Sequence, residues 1–223
     1  RLNVPLTVTK VAVETSGKGI EGAARDARYK AFFETIPDGD ALWLAQHQTD
    51  QAETFLLAAL RGSGVRGLAG MPYRRQSQGV TLMRPWLFIA RAELETAARV
   101  LDLSWCEDPT NSDIALDRNR LRHQVLATLR ERWPGADAAL ASSAAHAGEA
   151  DTLLTEYAEA ELLTLLGENH TLDATALSER SRPRQRLLIR TFCHQHGLPT
   201  PPQKRLESLL GQLTAKPDAE VCI

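Results

Sequence analysis

Cysteine is scarce in this sequence and never paired: Cys106, Cys193 and Cys222 lie far apart, with no C-x-x-C. That excludes a disulfide framework, a zinc ribbon and a cysteine-held iron–sulfur cluster, and it fits a reducing compartment. No segment reads as a signal peptide, and no apolar run approaches the roughly 20 residues that a membrane span needs, so a soluble, cytoplasmic protein without a membrane partner is expected. Neither sign of charge is in excess. With 26 Lys and Arg against 28 Asp and Glu, any nucleic-acid role must rest on a local cluster. The six histidines show no metal-like spacing; His194 and His196 lie two apart on a predicted helix and do not share a face. No protein-held metal is expected.

What is present is a regular alternation. "VPLTVTKVAV" is apolar and β-branched and reads as an interior strand. "IEGAARDARYKAFF" follows helical spacing until Pro37 and Gly39 stop it. "ALWLAQH" reads as a buried strand and "DQAETFLLAALRG" as a helix closed by glycine. This β-α-β-α order predicts an α/β domain with a parallel sheet, its binding residues just beyond the carboxyl ends of the strands, where His47 falls. "GVTLMRPWLFI" is a further strand or extended connection, and helices are expected from Ala90 to Trp105 and from Leu116 to Trp133. Around "WPGADAAL" the composition turns Ala-, Leu- and Glu-rich, which sets the expected boundary between a domain over 1–134 and a mostly helical one over 135–223. A short strand is expected at "AEVCI".

Three stretches could carry chemistry. His47-x-x-Asp50-x-x-Glu53 stands where a strand turns into a helix; D-x-x-E there is equally a capping box with Asp50 as N-cap, and a helix start at that edge also favours anions. Gly62, Gly64 and Gly67 spell G-x-G-x-x-G, but they follow a helix rather than a strand and no G-K-[ST] comes after, so they are neither a dinucleotide fingerprint nor a P-loop. They read as an adaptable loop. From Thr54 to Ala92 there is no acidic residue but six arginines, Arg61, Arg66, Arg74, Arg75, Arg84 and Arg91, a set that suits either phosphate contact or plain solvation. "WCEDPTNSDIALDRNRLRHQVLATL" joins Asp-Pro-Thr-Asn turn chemistry to a helix on which Arg118 and Arg122 lie one turn apart, with Asn119 between them as a reader of base edge or phosphate.

"AQHQTDQAETFLLAALRGSGVRGLAGM", "RPWL", "WCEDPTNSD" and "DRNRLRHQVLATL", in this order, resemble the tRNA(Ile)-lysidine synthetase family of the PP-loop ATP pyrophosphatase superfamily, and "IEGAARDARYKAF" resembles the helix that precedes them there. The resemblance is dense from Gly19 to Trp133. It implies a PP-loop ATPase domain followed by a helical substrate-binding domain. It also implies an enzyme that uses ATP, with the Mg²⁺ it carries, to adenylate C2 of the wobble cytidine (position 34) of a CAU-anticodon tRNA(Ile). Free L-lysine then displaces AMP to give lysidine. On this reading His47, Asp50 and Glu53 are the catalytic candidates, Arg25, Arg28, Arg61, Gly62 and Gly64 the ATP and phosphate candidates, and Arg66, Arg84, Asn111, Arg118, Asn119 and Arg122 the tRNA candidates. The oligomeric state is open, a homodimer included.

Two departures qualify the resemblance. The family's S-G-G-x-D-S phosphate loop is not in this sequence and is expected upstream of Arg1; these residues alone are expected not to bind ATP productively. The family usually has two aspartates after the histidine, and here the first position is Thr49. Two other functions stay in view: a PP-loop tRNA thiolase, disfavoured by the isolated cysteines, and a non-catalytic tRNA-binding module.

Overall fold

The structure is a computed structural model that describes residues 4–13, 19–167 and 171–213. The chain divides into two units, Arg1–Gly148 and Glu149–Ile223. The division falls inside a long helix rather than at Pro134 as expected. Glycine and proline mark the start of that helix, but its first turns are tied by side-chain bonds to earlier elements.

In the first unit, α1 (Gly19–Thr35) leads to β1 (Ala41–Trp43), then α2 (Gln48–Leu60), a short α3 (Val65–Leu68), β2 (Arg74–Ser77), β3 (Val80–Met83) and α4 (Arg91–Val100). β3 is the central strand, parallel to β1 and antiparallel to β2. Val80, Thr81 and Leu82 are buried, as a strand paired on both sides requires. The parallel β1–β3 pair with helices around it is the expected α/β arrangement; the antiparallel β2 was not foreseen. It is a hairpin arm: Gln78 and Gly79 both have positive φ, 48° and 78°, as a two-residue type I′ connection demands.

The expected strand at residues 4–13 does not form. Val4, Leu6 and Val8 are exposed, and the stretch enters no ladder among the described residues. A β-branched run becomes a strand only where another strand takes up its backbone donors and acceptors.

Beyond α4 the chain makes a 3₁₀ turn at Pro109–Ser112, then a helical stretch in three parts: α5 (Asp117–Arg120), a π turn (Leu121–Val125) and α6 (Leu126–Arg132). α7 (Ala136–Leu162) follows. In the second unit α8 (Ala174–Ser178), α9 (Arg182–Gln195) and α10 (Gln203–Gln212) join the end of α7 around a core of Leu162, Leu165, Leu177, Leu188, Leu206 and Leu210. This unit is mostly helical, as its composition suggested; its extended structure among the described residues is the single bridge Leu166–Leu172. The strand expected at residues 219–223, together with Cys222, lies outside the described residues. No described helix is long and apolar enough to cross a membrane.

Candidate active site

α2 starts at the carboxyl end of β1, and its first two turns bury polar side chains. Thr49, Gln51 and Glu53 are all buried. Burying a polar group is costly unless it is hydrogen-bonded, and each of these has a partner far along the chain. The Thr49 hydroxyl donates to Asp137 Oδ2 at 2.6 Å. Gln51 accepts the Met71 N–H at 2.9 Å and donates to the Met71 carbonyl at 3.0 Å. Glu53, with no solvent exposure, accepts from Arg122 Nε at 2.6 Å and from Nη2 at 3.1 Å.

Asp50 completes this cluster. One carboxylate oxygen accepts from Arg122 Nη2 at 3.1 Å; the other accepts the His47 backbone N–H at 2.9 Å and lies 3.5 Å from His47 Nε2. The N-cap of α2 is therefore His47, with Asp50 at the third helical position, not Asp50 with Glu53 as expected. Glu53 is freed from capping and turns inward. His47, Asp50, Glu53 and Arg122 meet at one place.

Burial pushes the Glu53 carboxyl above its ordinary range, against the opposing hydrogen bond from Arg122. Burial alone would lower the Arg122 guanidinium, but the hydrogen bond and charge of Glu53 and the charge of Asp50 prevail and raise it. Burial lowers His47, with the charge of Asp50 in opposition. His47 Nδ1 is buried without a hydrogen-bond partner among the described residues, which also favours the neutral ring.

Arg122 comes from the π turn. A π turn widens the helix by one residue, so the simple i, i+4 face expected for Arg118 and Arg122 does not hold across it; such turns recur where a side chain must be re-aimed. Next to Arg122 a groove of about 570 Å³, within the size range of small-molecule sites, is lined by Thr49, Arg91, Glu95, Arg122, Arg130 and Asp137. Asp137 holds Arg130 through two bonds of 2.9 and 2.7 Å. Despite burial, the hydrogen bonds from Arg130 and Thr49 keep its carboxyl below the ordinary range.

Several expected site residues have other tasks. Arg84, only 3% exposed, donates to Gln46 Oε1 at 3.1 Å and to the Pro72 carbonyl at 2.7 Å, so it is an internal brace and not a surface contact. Asn119 is buried and donates to the carbonyls of Thr110 and Asp113 at 2.7 and 2.9 Å, fastening the Asp108–Asp113 turn to the following helix. His123 reaches the Asn111 carbonyl at 2.8 Å and does the same. Arg61 and Gly62 lie at the far end of α2, about 17 Å along the helix from Asp50 at 1.5 Å per residue. Gly62, with φ of 67°, stands just past the C-cap Arg61 of α2, and Gly64 is the N-cap of α3. The expected adaptable loop thus contains a helical turn and is pinned by Gln51. Arg25 and Arg28 are exposed on α1, Arg25 over the Tyr29 ring at 5.6 Å. Arg66 and Arg118 are on α3 and α5. Gln51, Arg130 and Asp137 were not singled out from sequence, and Thr49 only as a departure from the pattern of the resemblance. Among the described residues no group of three or more His, Cys, Asp or Glu could hold a metal ion.

Residues 1–129 match the PP-loop domain family and residues 172–223 the TilS substrate binding domain. The chain belongs to the tRNA(Ile)-lysidine synthase family of PP-loop proteins. The tRNA(Ile)-lysidine synthase of Coxiella burnetii is 40% identical over 94% of this chain and 46% of its own length. That of Pseudomonas fluorescens is 51% identical over 72% of the chain and 36% of its length. That of Salmonella typhi is 40% identical over all of the chain and 52% of its length. The chain spans about half the length, or less, of these relatives. The Asp50–Glu53–Arg122 cluster lies within the stretch that matches the PP-loop domain family.

Proposed function

We propose that the protein carrying this chain ligates lysine to C2 of the wobble cytidine of CAU-anticodon tRNA(Ile). ATP activates the cytidine carbonyl oxygen by adenylation with loss of diphosphate; the ε-amine of lysine then attacks C2 and AMP leaves. Magnesium enters with the ATP phosphates. The observation that carries this reading is the cluster of two carboxylates on one guanidinium beside the groove.

The groove and the cluster together hold three arginines, Arg91, Arg122 and Arg130, against four carboxylates, Asp50, Glu53, Glu95 and Asp137. Each arginine is already bonded to a carboxylate. Asp50, which keeps a measure of exposure while Glu53 has none, is the carboxylate able to hold the ε-ammonium and accept its proton as the amine attacks. Arg91 and Arg130, at the groove wall, are the cations able to offset phosphate charge. The names of the relatives, lysidine synthases throughout, favour this reading over a thiolase.

The deciding assay mixes the longest gene product containing this chain with CAU-anticodon tRNA, ATP and labelled lysine. Label is expected in the tRNA, with AMP and diphosphate released; no label rejects the reading.

A further inference from the structure

The turn after β3 presents aromatic rings to solvent beside the candidate site. In "RPWLFI" Leu87 is buried while its neighbours Trp86 and Phe88 are 47% and 59% exposed. The turn is held by the Leu87 N–H to the Arg84 carbonyl at 3.1 Å and the Ile89 N–H to the Trp86 carbonyl at 2.9 Å. Phe88 lies nearly parallel to Tyr73, with ring centroids 6.1 Å apart and planes at 16°, and Tyr73 is itself 44% exposed. Buried Arg84 fixes this second ring from below: its N–H bonds the Tyr73 carbonyl at 2.9 Å and its guanidinium the Pro72 carbonyl.

Two further facts define the partner. Exposed Arg74 and Arg75 follow Tyr73 directly, in a stretch of chain, Thr54 to Ala92, that has no acidic residue. The same turn meets the active site, because the Ile89 carbonyl, one residue beyond Phe88, accepts the Gln48 N–H of α2 at 3.0 Å, next to His47. Parallel exposed rings with adjacent arginines are the chemistry of a single-stranded nucleic-acid surface: bases stack on the rings and phosphates pair with the guanidiniums.

We propose that Tyr73 and Phe88, with Trp86 beside them, form a stacking surface for unpaired bases next to the base that reaches the active site. This deepens the tRNA reading and rests on it. The partner is a single-stranded RNA segment such as an anticodon loop.

The test is the binding of the full chain to a seven-nucleotide single-stranded RNA and to the same strand with abasic sites, at several salt concentrations, without ATP or lysine. The intact strand should bind about tenfold more tightly than the abasic one, the scale of one stacked base. Y73A/F88A should erase that ratio while the salt dependence set by the arginines persists. Tyr73→Trp with Phe88→Tyr should preserve it. A wild-type chain that does not favour the intact strand, or a ratio unchanged in Y73A/F88A, overturns the proposal; in the latter case the rings would be left as a surface for protein. Base-dependent binding without lysine transfer by the longer gene product would reject the enzymatic reading alone, and transfer without base-dependent binding would reject the stacking surface alone.

Discussion

Arg122 and Glu53, 69 residues apart in sequence, share a two-point hydrogen bond in which the carboxylate has no solvent exposure and the guanidinium little. Each closes a charge that the other would leave uncompensated. The pair joins the π turn to α2, so site and fold depend on the same contact.

Arg122→Ala should therefore destabilise the chain rather than only weaken function. Removing one partner of a buried pair costs about 3–5 kcal/mol, because a carboxylate is left without its cation. Glu53→Gln in the Arg122→Ala background should recover much of that loss, since the uncompensated charge is gone. Urea denaturation of the two variants measures this. Equal midpoints for wild type and R122A would show that the pair holds nothing together.

Thr49 donates its hydroxyl to Asp137 across 88 residues of sequence. Thr49→Val removes one hydrogen bond, about 1 kcal/mol. T49D should cost more, since two carboxylates would then face each other within hydrogen-bond distance, and T49D/D137N should return the excess. Thermal midpoints of the three variants test this; T49D as stable as wild type would contradict it.

Gly70 and Gly62 separate two kinds of glycine requirement. Both have positive φ, 63° and 67°, but a Cβ on Gly62 meets open space, while one on Gly70 would lie 2.8 Å from Gln51 Oε1. Gly62→Ala should cost only the conformational strain, about 1 kcal/mol. Gly70→Ala should cost more and release the Gln51–Met71 bonds, which hydrogen exchange at the Met71 amide would report.

His47 should make stability depend on pH. Its folded pKa is lowered by burial, so the unfolded chain takes up a proton near pH 6.5 that the folded chain takes up only at lower pH. Stability is then full above pH 6.5, falls as pH drops from there to the folded value, and levels below it. Between pH 7.5 and 5.5 the wild type should lose more in thermal midpoint than His47→Gln. Parallel curves would refute the assignment.

The sequence makes the local elements legible and the long-range ones only by family. β1, β3 and the helices follow from apolar runs bounded by Pro37, Gly39 and Gly62, all signals within a few residues. The carboxylates Asp50 and Glu53 stand out by spacing, yet the identity of the N-cap does not, because His47 and Asp50 are both plausible helix starts and the Asp50–His47 bond settles the matter. Arg84 and Asn119 read as surface contacts because arginine and asparagine usually are; only their partners, the Gln46 side chain and the carbonyls of Pro72, Thr110 and Asp113, explain their burial. Thr49 and Asp137 are 88 residues apart, and nothing in either local stretch announces the other.

The π turn has one more consequence, for the length of the chain. A π turn takes up one extra residue, so deleting one residue between Leu121 and Val125 would leave α6 in place, whereas forcing these residues into an ordinary helix at unchanged length would swing Arg130 by about 100°, the rotation of one helical residue. Either guanidinium could then keep its carboxylate, but not both. The π turn thus absorbs a residue that an ordinary helix could not hold in register, and with the turn in place Glu53 and Asp137 each find a cation.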